Sequence, residues 1–431
     1  MKRPRSTTVV LGLLCVMYLI TYVDRVNIAT AASEIRRDLG LSNTRLGLAL
    51  SAFGYPYLLF QIFGGWIGDR VGPRRTLFLC GVIWAAATML TGLAGGLLTL
   101  FLVRVLLGVG EGATFPVATR AMQTWTPPGR RGFAQGITHA FARFGNMITP
   151  PIVAWLIALL TWRGSFVMLG CFSLMWVVGW FWYYRDNPAE HRGITRAELD
   201  QLPNRGVLVR QEMPNVPWGP IAYRMIPVMI VYFCYGWTLW LYLNWLPSFF
   251  FNAYRMDIMK SALYSSTVFS AGVVGDMMGG IASDRILRRT ANVRRARLLV
   301  VVGGFLGSFL TLLPIVLTHD LRISVVCLSI AFFFAELVIG PMWAIPMDIA
   351  PRYSGSASGL MNSGSALAAI VSPVVGGYII DKTGNWELTF VAGIGLLMFG
   401  AVLAFWMKLD EEFGDEPKPV LGKHPVPEPA V

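Results

Sequence analysis

The sequence predicts an all-α membrane protein of twelve transmembrane helices, arranged as two six-helix bundles related by a pseudo-two-fold axis around a central cavity. Three observations carry this: an apolar composition, evenly spaced apolar stretches of bilayer length, and a pattern repeated between the halves. Of 431 residues, 55% are hydrophobic and 14% charged, with a mean hydropathy of +0.56, whereas soluble domains carry about 25% charged residues. The apolar stretches run to roughly 20 residues each, enough to cross a hydrocarbon layer of about 30 Å as helices. They centre near Leu19, Leu58, Ala86, Gly108, Pro150, Leu174, Tyr235, Val273, Leu306, Phe334, Ala368 and Leu397. A β-barrel would show segments of about ten residues alternating apolar and polar; no such alternation occurs. The repeat is GGWIGDRVGPRR at 64–75, returning as GGIASDRILRR at 279–289, with Gly132-x-Ala134-x-Gly136 returning as Gly355-x-Ala357-x-Gly359. Parallel duplication of this kind is a transporter architecture, with the ligand site near the midplane where the halves meet.

The first span follows MKRPRS and precedes Ala29-Thr30-Ala31, a layout that imitates a cleavable signal peptide. Asp24 and Arg25 lie between the apolar run and that site, and eleven later spans need a first one to set their orientation, so it reads as a retained helix. Residues 185–223 are rich in proline and mixed charge, with one short amphipathic piece, TRAELDQL. They read as a cytoplasmic linker between an N-terminal bundle (1–184) and a C-terminal bundle (224–408), followed by a cytoplasmic tail (409–431). The N-terminus, the connections after even-numbered spans and the tail hold 25 of the 36 basic residues; the odd connections hold 8. Both termini are therefore expected on the cytoplasmic side. This topology signal accounts for most of the net charge of +12, so no nucleic-acid partner is implied. Membrane lipid is the expected surrounding, and the basic run DRILRRTANVRRAR reads as a cytoplasmic anchor beside anionic head groups. No Asn-x-Ser/Thr sequon occurs and arginines outnumber lysines 30 to 6, which points to a bacterial cytoplasmic membrane. The five cysteines all lie in apolar stretches, where they serve as small hydrophobes.

Enzyme chemistry finds no support. GVGEG at 108–112 lies inside a span rather than after a strand, so its glycines are packing residues. His139, His191, His319 and His424 form no metal-ligand spacing, and no metal or cofactor is expected.

Charges inside the spans are the informative residues. Each charge at mid-bilayer costs roughly 2.5 to 3.5 kcal/mol on insertion scales, so Asp24 and Arg25 together oppose about 5 to 7 kcal/mol. The eleven Leu, Ile and Val residues between Val9 and Ile28 return about 3 to 6.5 kcal/mol. The pair must face protein or water. In span four Arg104, Gly108 and Glu111 stand at i, i+4 and i+7, on one face. Arg104 and Glu111 are about 10 Å apart along the axis, so their partners must come from another helix.

GGWIGDRVGPRR resembles the loop signature of the major facilitator superfamily, between spans two and three; the second copy has Leu287 where the first has Gly72. More narrowly, YVDRVNIA in span one, SAFGYPYLLFQIFGGW in span two, RVLLGVGEGATFP in span four, RDNPAEH in the linker and NWLPSFF in span seven resemble the anion:cation symporter family. That family includes bacterial sugar-acid permeases and vesicular glutamate transporters, and the similarity covers the chain up to Lys408. The resemblance implies that spans one, four, seven and ten line the cavity, bringing Asp24, Arg25, Arg104 and Glu111 together. Arginines match a carboxylate as a planar fork, so Arg25 and Arg104 are the expected substrate clamp, with Asp24 and Glu111 as proton carriers. Counting Arg25, Arg104 and Arg143 against those two acids, the site gains positive charge as the acids are protonated, which couples protons to anion binding.

Tyr22, Tyr57, Trp343 and Asn362 match positions the family uses near its substrate, and Arg143 in span five is a further substrate candidate. His139, one turn before Arg143, reads as a packing residue, and Asp276 and Glu336 read as structural hydrogen-bonders, with a further proton site as the alternative for either. The loop residues Asp69, Arg70, Gly72, Arg74 and Arg75 are expected to close the cytoplasmic side. In span seven, Tyr235, Thr238 and Tyr242 share one face and Trp237, Trp240 and Asn244 another, with the cavity-facing side left open by the sequence. The function implied is proton-coupled uptake of an organic anion by a monomer. A sugar acid such as galactonate, glucarate or a hexuronate stands first, with a dicarboxylate or aromatic acid such as tartrate or phthalate as the alternative. A transporter-like receptor that senses an organic anion is the rival of another class. A drug or organophosphate exchanger is disfavoured, because span five reads GNMITPPIVAW and span seven has no internal arginine.

Overall fold

The structure, a computed structural model, describes residues 5–127, 131–202, 217–317, 319–350 and 354–409. Part of the proposed linker (203–216), the tail from 410 and the side chain of Asp69 lie outside that description. All regular structure among the described residues is helical. Span one is Ser6–Asp38, span two Asn43–Ser51 continued by Gly54–Val71, span three Pro73–Thr91, and span four Leu97–Gly112 continued by Thr114–Trp125. Spans five and six run on as Arg131–Tyr183, turned at Thr161, whose φ of 64° breaks the helix. Span seven is Trp218–Ala253, eight Ile258–Thr290, nine Val293–Leu317, ten Leu321–Leu337 continued by Ile339–Ile349, eleven Ser354–Thr383 and twelve Thr389–Leu403. Every centre placed from hydropathy falls inside its span. Among the described residues, eight helices are long and apolar enough to cross a membrane by length and composition alone. One of them carries both spans five and six; spans two, three and eight fall short because a break, terminal arginines, or glycine and serine dilute them.

The three interrupted spans share one cause. Pro56, Pro116 and Pro341 each lack an N–H and crowd the carbonyl four residues back, which is Ala52, Gly112 and Leu337 respectively. The helices part at those places, between Ser51 and Gly54, Gly112 and Thr114, and Leu337 and Ile339. One freed acceptor, the Gly112 carbonyl, takes a bond from Gln61 Nε2 at 3.2 Å. Irregular backbone at membrane depth persists only where protein or water satisfies it, and these breaks lie beside the site described below.

Large apolar side chains cover the outside of the spans, among them Leu59, Leu79, Leu98, Trp155, Val178 and Leu310, all exposed. Trp182, Trp218, Tyr223 and Trp406 are exposed at span ends on the linker side, as an interfacial aromatic belt requires.

The end away from the linker is drawn together across the halves. The Asp381 carboxylate, in span eleven, accepts four hydrogen bonds at the start of span two: from Asn43 N (3.0 Å), Asn43 Nδ2 (2.9 Å), Thr44 N (2.7 Å) and Thr44 Oγ1 (2.6 Å). An acid suits a helix N-terminus, where orphan amides and the dipole both favour negative charge. Gly47 and Gly377 permit this approach, since a Cβ there would overlap the Pro373 and Asn43 carbonyls. Arg36 Nη2 donates to Asn252 Oδ1 at 3.4 Å, joining spans one and seven.

At the linker end Gly72, at φ 88°, ends span two, and a side chain there would strike the Asp186 carboxylate. That carboxylate accepts from Arg74 N at 2.8 Å, and the Arg74 guanidinium donates to the Phe181 carbonyl at 3.1 and 2.8 Å. RDNPAEH thereby anchors the loop signature to the end of span six. In the second half Leu287 cannot make that turn, so span eight continues to Thr290 and stops at Ala291, φ 50°. There Arg297 joins Asp348 (2.9 Å) and Asp284 (3.3 Å). Arg70 and Arg75 are exposed. The linker piece read as amphipathic is a one-turn helix, Arg196–Leu199, closed by a Thr195/Glu198 capping box.

Candidate substrate and proton site

The buried charges converge between the broken helices. Arg25 of span one and Glu111 of span four, 3% and 0% exposed, form an ion pair with Nε and Oε2 2.7 Å apart. Four aromatic rings surround the Arg25 guanidinium: Tyr57 at 4.8 Å, Tyr22 at 4.9 Å, Phe115 at 5.0 Å and Phe53 at 5.3 Å from its central carbon. Phe53 stands at the span-two break, and Glu111 and Phe115 flank the break in span four. The Arg104 guanidinium carbon stands 5.3 Å from the same Phe53 ring, within electrostatic reach of Glu111 and Asp24. Asn362 of span eleven is buried near Tyr57.

Asp24 is oriented differently from its neighbour, since successive helical residues are turned by about 100°. Its carboxylate accepts from Ser173 Oγ of span six at 3.1 Å and stands 3.5 Å from Asn27 Nδ2, inside the N-terminal half rather than among the rings.

Arg143 pairs across the halves. Its Nε–H is aimed at Asp276 Oδ2 of span eight, 3.3 Å away, and the same nitrogen lies 3.0 Å from Glu336 Oε2 of span ten. Tyr235 of span seven donates to Glu336 Oε1 at 3.0 Å. The Tyr22 ring links this cluster to Arg25, being 5.6 Å from the Arg143 guanidinium carbon. Trp343 Nε1 donates to Tyr232 at 2.9 Å, and the His139 ring stands 6.0 Å from Trp343.

Two sequence expectations change here. Asp276 and Glu336, read as separate hydrogen-bonders, both serve Arg143, because spans eight and ten are pressed together along Gly272, Gly275 and Gly279, where a Cβ would meet Phe332, Phe333 and Leu337. The charge count then becomes three arginines against four carboxylates, one unit negative when all are ionised rather than one unit positive. In span seven the Tyr235 and Tyr242 face packs on span ten, with Tyr242 stacked on Phe332 at 4.9 Å. Trp240 meets Phe53 of the other half at 5.8 Å and donates to Ser365 at 3.2 Å. The cage rings Phe53 and Phe115 were missed; their only signal was position beside a Gly-x-Pro or x-Pro break.

Several buried polar atoms here have no hydrogen-bond partner: Arg25 Nη2, Arg104 Nε, Arg143 Nη1 and Glu111 Oε1. Buried donors of this kind are rare in folded proteins, and the three on these arginines are donors that an anion could satisfy.

The major facilitator superfamily profile matches residues 14–373. The chain belongs to the Major Facilitator Superfamily. A probable sulfoacetate transporter, SauU, of Cupriavidus necator is 45% identical over 407 residues, covering 94% of this chain and 95% of that one. A probable galactarate/D-glucarate transporter, GudP, of Escherichia coli K12 is 30% identical over 447 residues, covering 98% and 97%. Among solved structures, an inward-facing, occupied bacterial homologue of the human lysosomal transporter Spinster aligns with a TM-score of 0.75 at 17% identity, covering 94% of this chain and 97% of that one. At that identity it shows the shared fold. The chain is thus a transporter of that superfamily and not an enzyme, and its relatives carry organic acids.

Proposed function

We propose that the chain imports a small organic anion together with protons by alternating access, and that its cargo is a short acid with two anionic heads, such as sulfoacetate. The observation that carries the reading is the buried Arg25–Glu111 pair: protonating Glu111 frees Arg25 for a carboxylate or sulfonate, and deprotonation returns Arg25 to Glu111. Four aromatic rings line Arg25, whereas a sugar acid brings four or more hydroxyls that need polar partners when buried. The 45%-identical sulfoacetate relative supports the short acid. The sugar-acid reading stands second, favoured by the galactarate/D-glucarate relative.

The orientation follows the arginine count: both termini and residues 185–223 in the cytoplasm of a bacterium, the Asp381 latch outside, the molecule a monomer in its inner membrane. Spans one to six and seven to twelve are the two moving bodies, and Gly72 with Arg74 stiffens the cytoplasmic side of the first. The test is uptake of labelled sulfoacetate and galactonate into vesicles under an inward proton gradient. Accumulation of sulfoacetate supports the reading; accumulation of galactonate alone transfers it to sugar acids. Binding of either without uptake would make the protein a receptor.

A further inference from the structure

The cluster around Arg143 holds one more carboxylate than its arginine edge can use. The Nε–H is aimed at Asp276 Oδ2, whereas Glu336 Oε2, 3.0 Å from the same nitrogen, accepts no hydrogen bond, and Nη1 is buried without an acceptor. Two carboxylates sharing one cation repel each other, and one of them is the readier proton acceptor. The titratable groups facing the cluster are Tyr22 of span one, His139 of span five, and Tyr232 and Tyr235 of span seven, of which Tyr235 donates to Glu336. None of them is a second permanent cation. The cluster also bridges the halves, joining span five to spans eight and ten, so rocking of one half against the other must break it.

We infer that Arg143, Asp276 and Glu336 form a second, proton-linked anion station, in which the two carboxylates stand in for the second head group of a two-headed substrate. This rests on the short-acid reading above and deepens it. A proton arriving from outside attaches to a Glu336 carboxylate oxygen and weakens its hold on Arg143. The second head of the substrate then takes Arg143 through Nη1 and the released edge, while the first head sits at Arg25. On release to the cytoplasm the proton leaves Glu336, whose carboxylate returns to Arg143. One proton crosses per dianion through this station, besides the one carried by Glu111. The spacing limits the substrate. One aromatic ring, Tyr22, lies 4.9 Å from the Arg25 guanidinium carbon and 5.6 Å from that of Arg143, and the two cations can be no farther apart than the sum of those distances. That ceiling favours heads joined by a short linker, as in sulfoacetate or malonate.

Competition in counterflow tests this with sulfoacetate and malonate against the one-headed methanesulfonate and acetate. Arg143→Gln should reduce the preference for two heads over one by about 10 to 150-fold, the loss of one charge-assisted contact. Glu336→Gln should keep sulfoacetate binding and lower the proton-to-substrate ratio by one. Asp276→Asn, at the more exposed carboxylate, should lower it as well and serves if the Glu336 variant fails to fold. An unchanged preference in Arg143→Gln, or an unchanged proton ratio in both acid variants, overturns the second station alone. Wild-type protein that exchanges galactonate and ignores both two-headed acids overturns the short-acid reading beneath it.

Discussion

Arg25 and Arg143 flank one ring, Tyr22, and are equally buried, yet they are held in opposite ways. Arg25 is paired inside its own half, with Glu111 on the adjacent span four; Arg143 is paired across the halves, with acids on spans eight and ten. A rigid-body swing leaves the first pair intact and pulls the second apart. Only a chemical event, protonation or an arriving anion, exchanges the partner of Arg25, whereas the partners of Arg143 are exposed to motion between the halves as well as to protonation and the anion. A buried ion pair is a weak stabiliser, but removing one member strands a charge and costs about 3 to 5 kcal/mol. The within-half pair is therefore suited to ligand and proton exchange alone, and the cross-half cluster to coupling that exchange to conformation.

The largest expected effect comes from Arg25→Ala. Substrate affinity should fall by about 10 to 150-fold, from a lost charge-assisted contact, and the unpaired Glu111 should lower thermal stability. Adding Glu111→Gln to that variant should restore the melting temperature without restoring transport. Recovery of both would make the pair a structural clasp. Glu111→Gln alone should preserve counterflow of sulfoacetate and abolish its accumulation against a gradient, read in vesicles with and without an imposed pH difference. Continued accumulation would remove Glu111 from proton coupling.

A smaller effect is expected at the cross-half latch. Asp381→Asn keeps one acceptor oxygen and turns the other into an amide NH2 that cannot accept, so two of the four contacts at Asn43 and Thr44 are lost and the other two lose the charge; at this exposed place at least about 1 kcal/mol is at stake. A shift of that size changes the open-to-closed ratio several-fold. A single cysteine at Leu50, buried behind the latch, should be labelled several-fold faster from outside in the variant; an equal rate would show that Asp381 does not hold that end shut.

Elements set by local chemistry were legible in the sequence. Apolar length located all twelve spans, and buried-charge cost singled out Arg25, Arg104 and Glu111 before any contact was visible. The loop glycine, Gly72, was marked by the motif, though the positive φ that it supplies was not read from the sequence. What was not legible depends on which helices touch. Arg25 and Glu111 are 86 residues apart, and only the resemblance brought them together. Asp276 and Glu336 carried no hint of Arg143, because span packing decides which of a helix's faces meets the other half. Asp24 and Arg25 looked like one feature as neighbours in sequence, yet helical rotation sends Asp24 to Ser173 and Arg25 to the cage. The role of Asp186 was hidden for the same reason: the linker motif was recognisable, but its partner Arg74 lies 112 residues earlier.

The smallest predicted effect sharpens the comparison by testing a contact that no rocking motion should load. Glu198, in the linker, accepts from Thr7 N at 3.3 Å and Thr7 Oγ1 at 3.2 Å, and from Thr195 N and Oγ1 at 3.1 and 3.0 Å. Burial pushes this carboxyl up, but the hydrogen bonds from Thr195 and Thr7 outweigh it and leave the group below the ordinary glutamate value of 4.5. A group held below its unfolded value stabilises the fold above that value, and the gain is lost as pH falls through the depressed one. Glu198→Gln should therefore lower the melting temperature slightly at pH 7, by an amount set by about 1 kcal/mol or less, and the difference from wild type should shrink as the pH is taken below 4.5. Transport rates should stay unchanged, because Thr7 and Glu198 both lie on the linker side of the first bundle and move as one body. A large transport defect with an unaltered melting temperature would mean that the linker contact opens during the cycle, and the division between contacts that break and contacts that ride along would have to be redrawn.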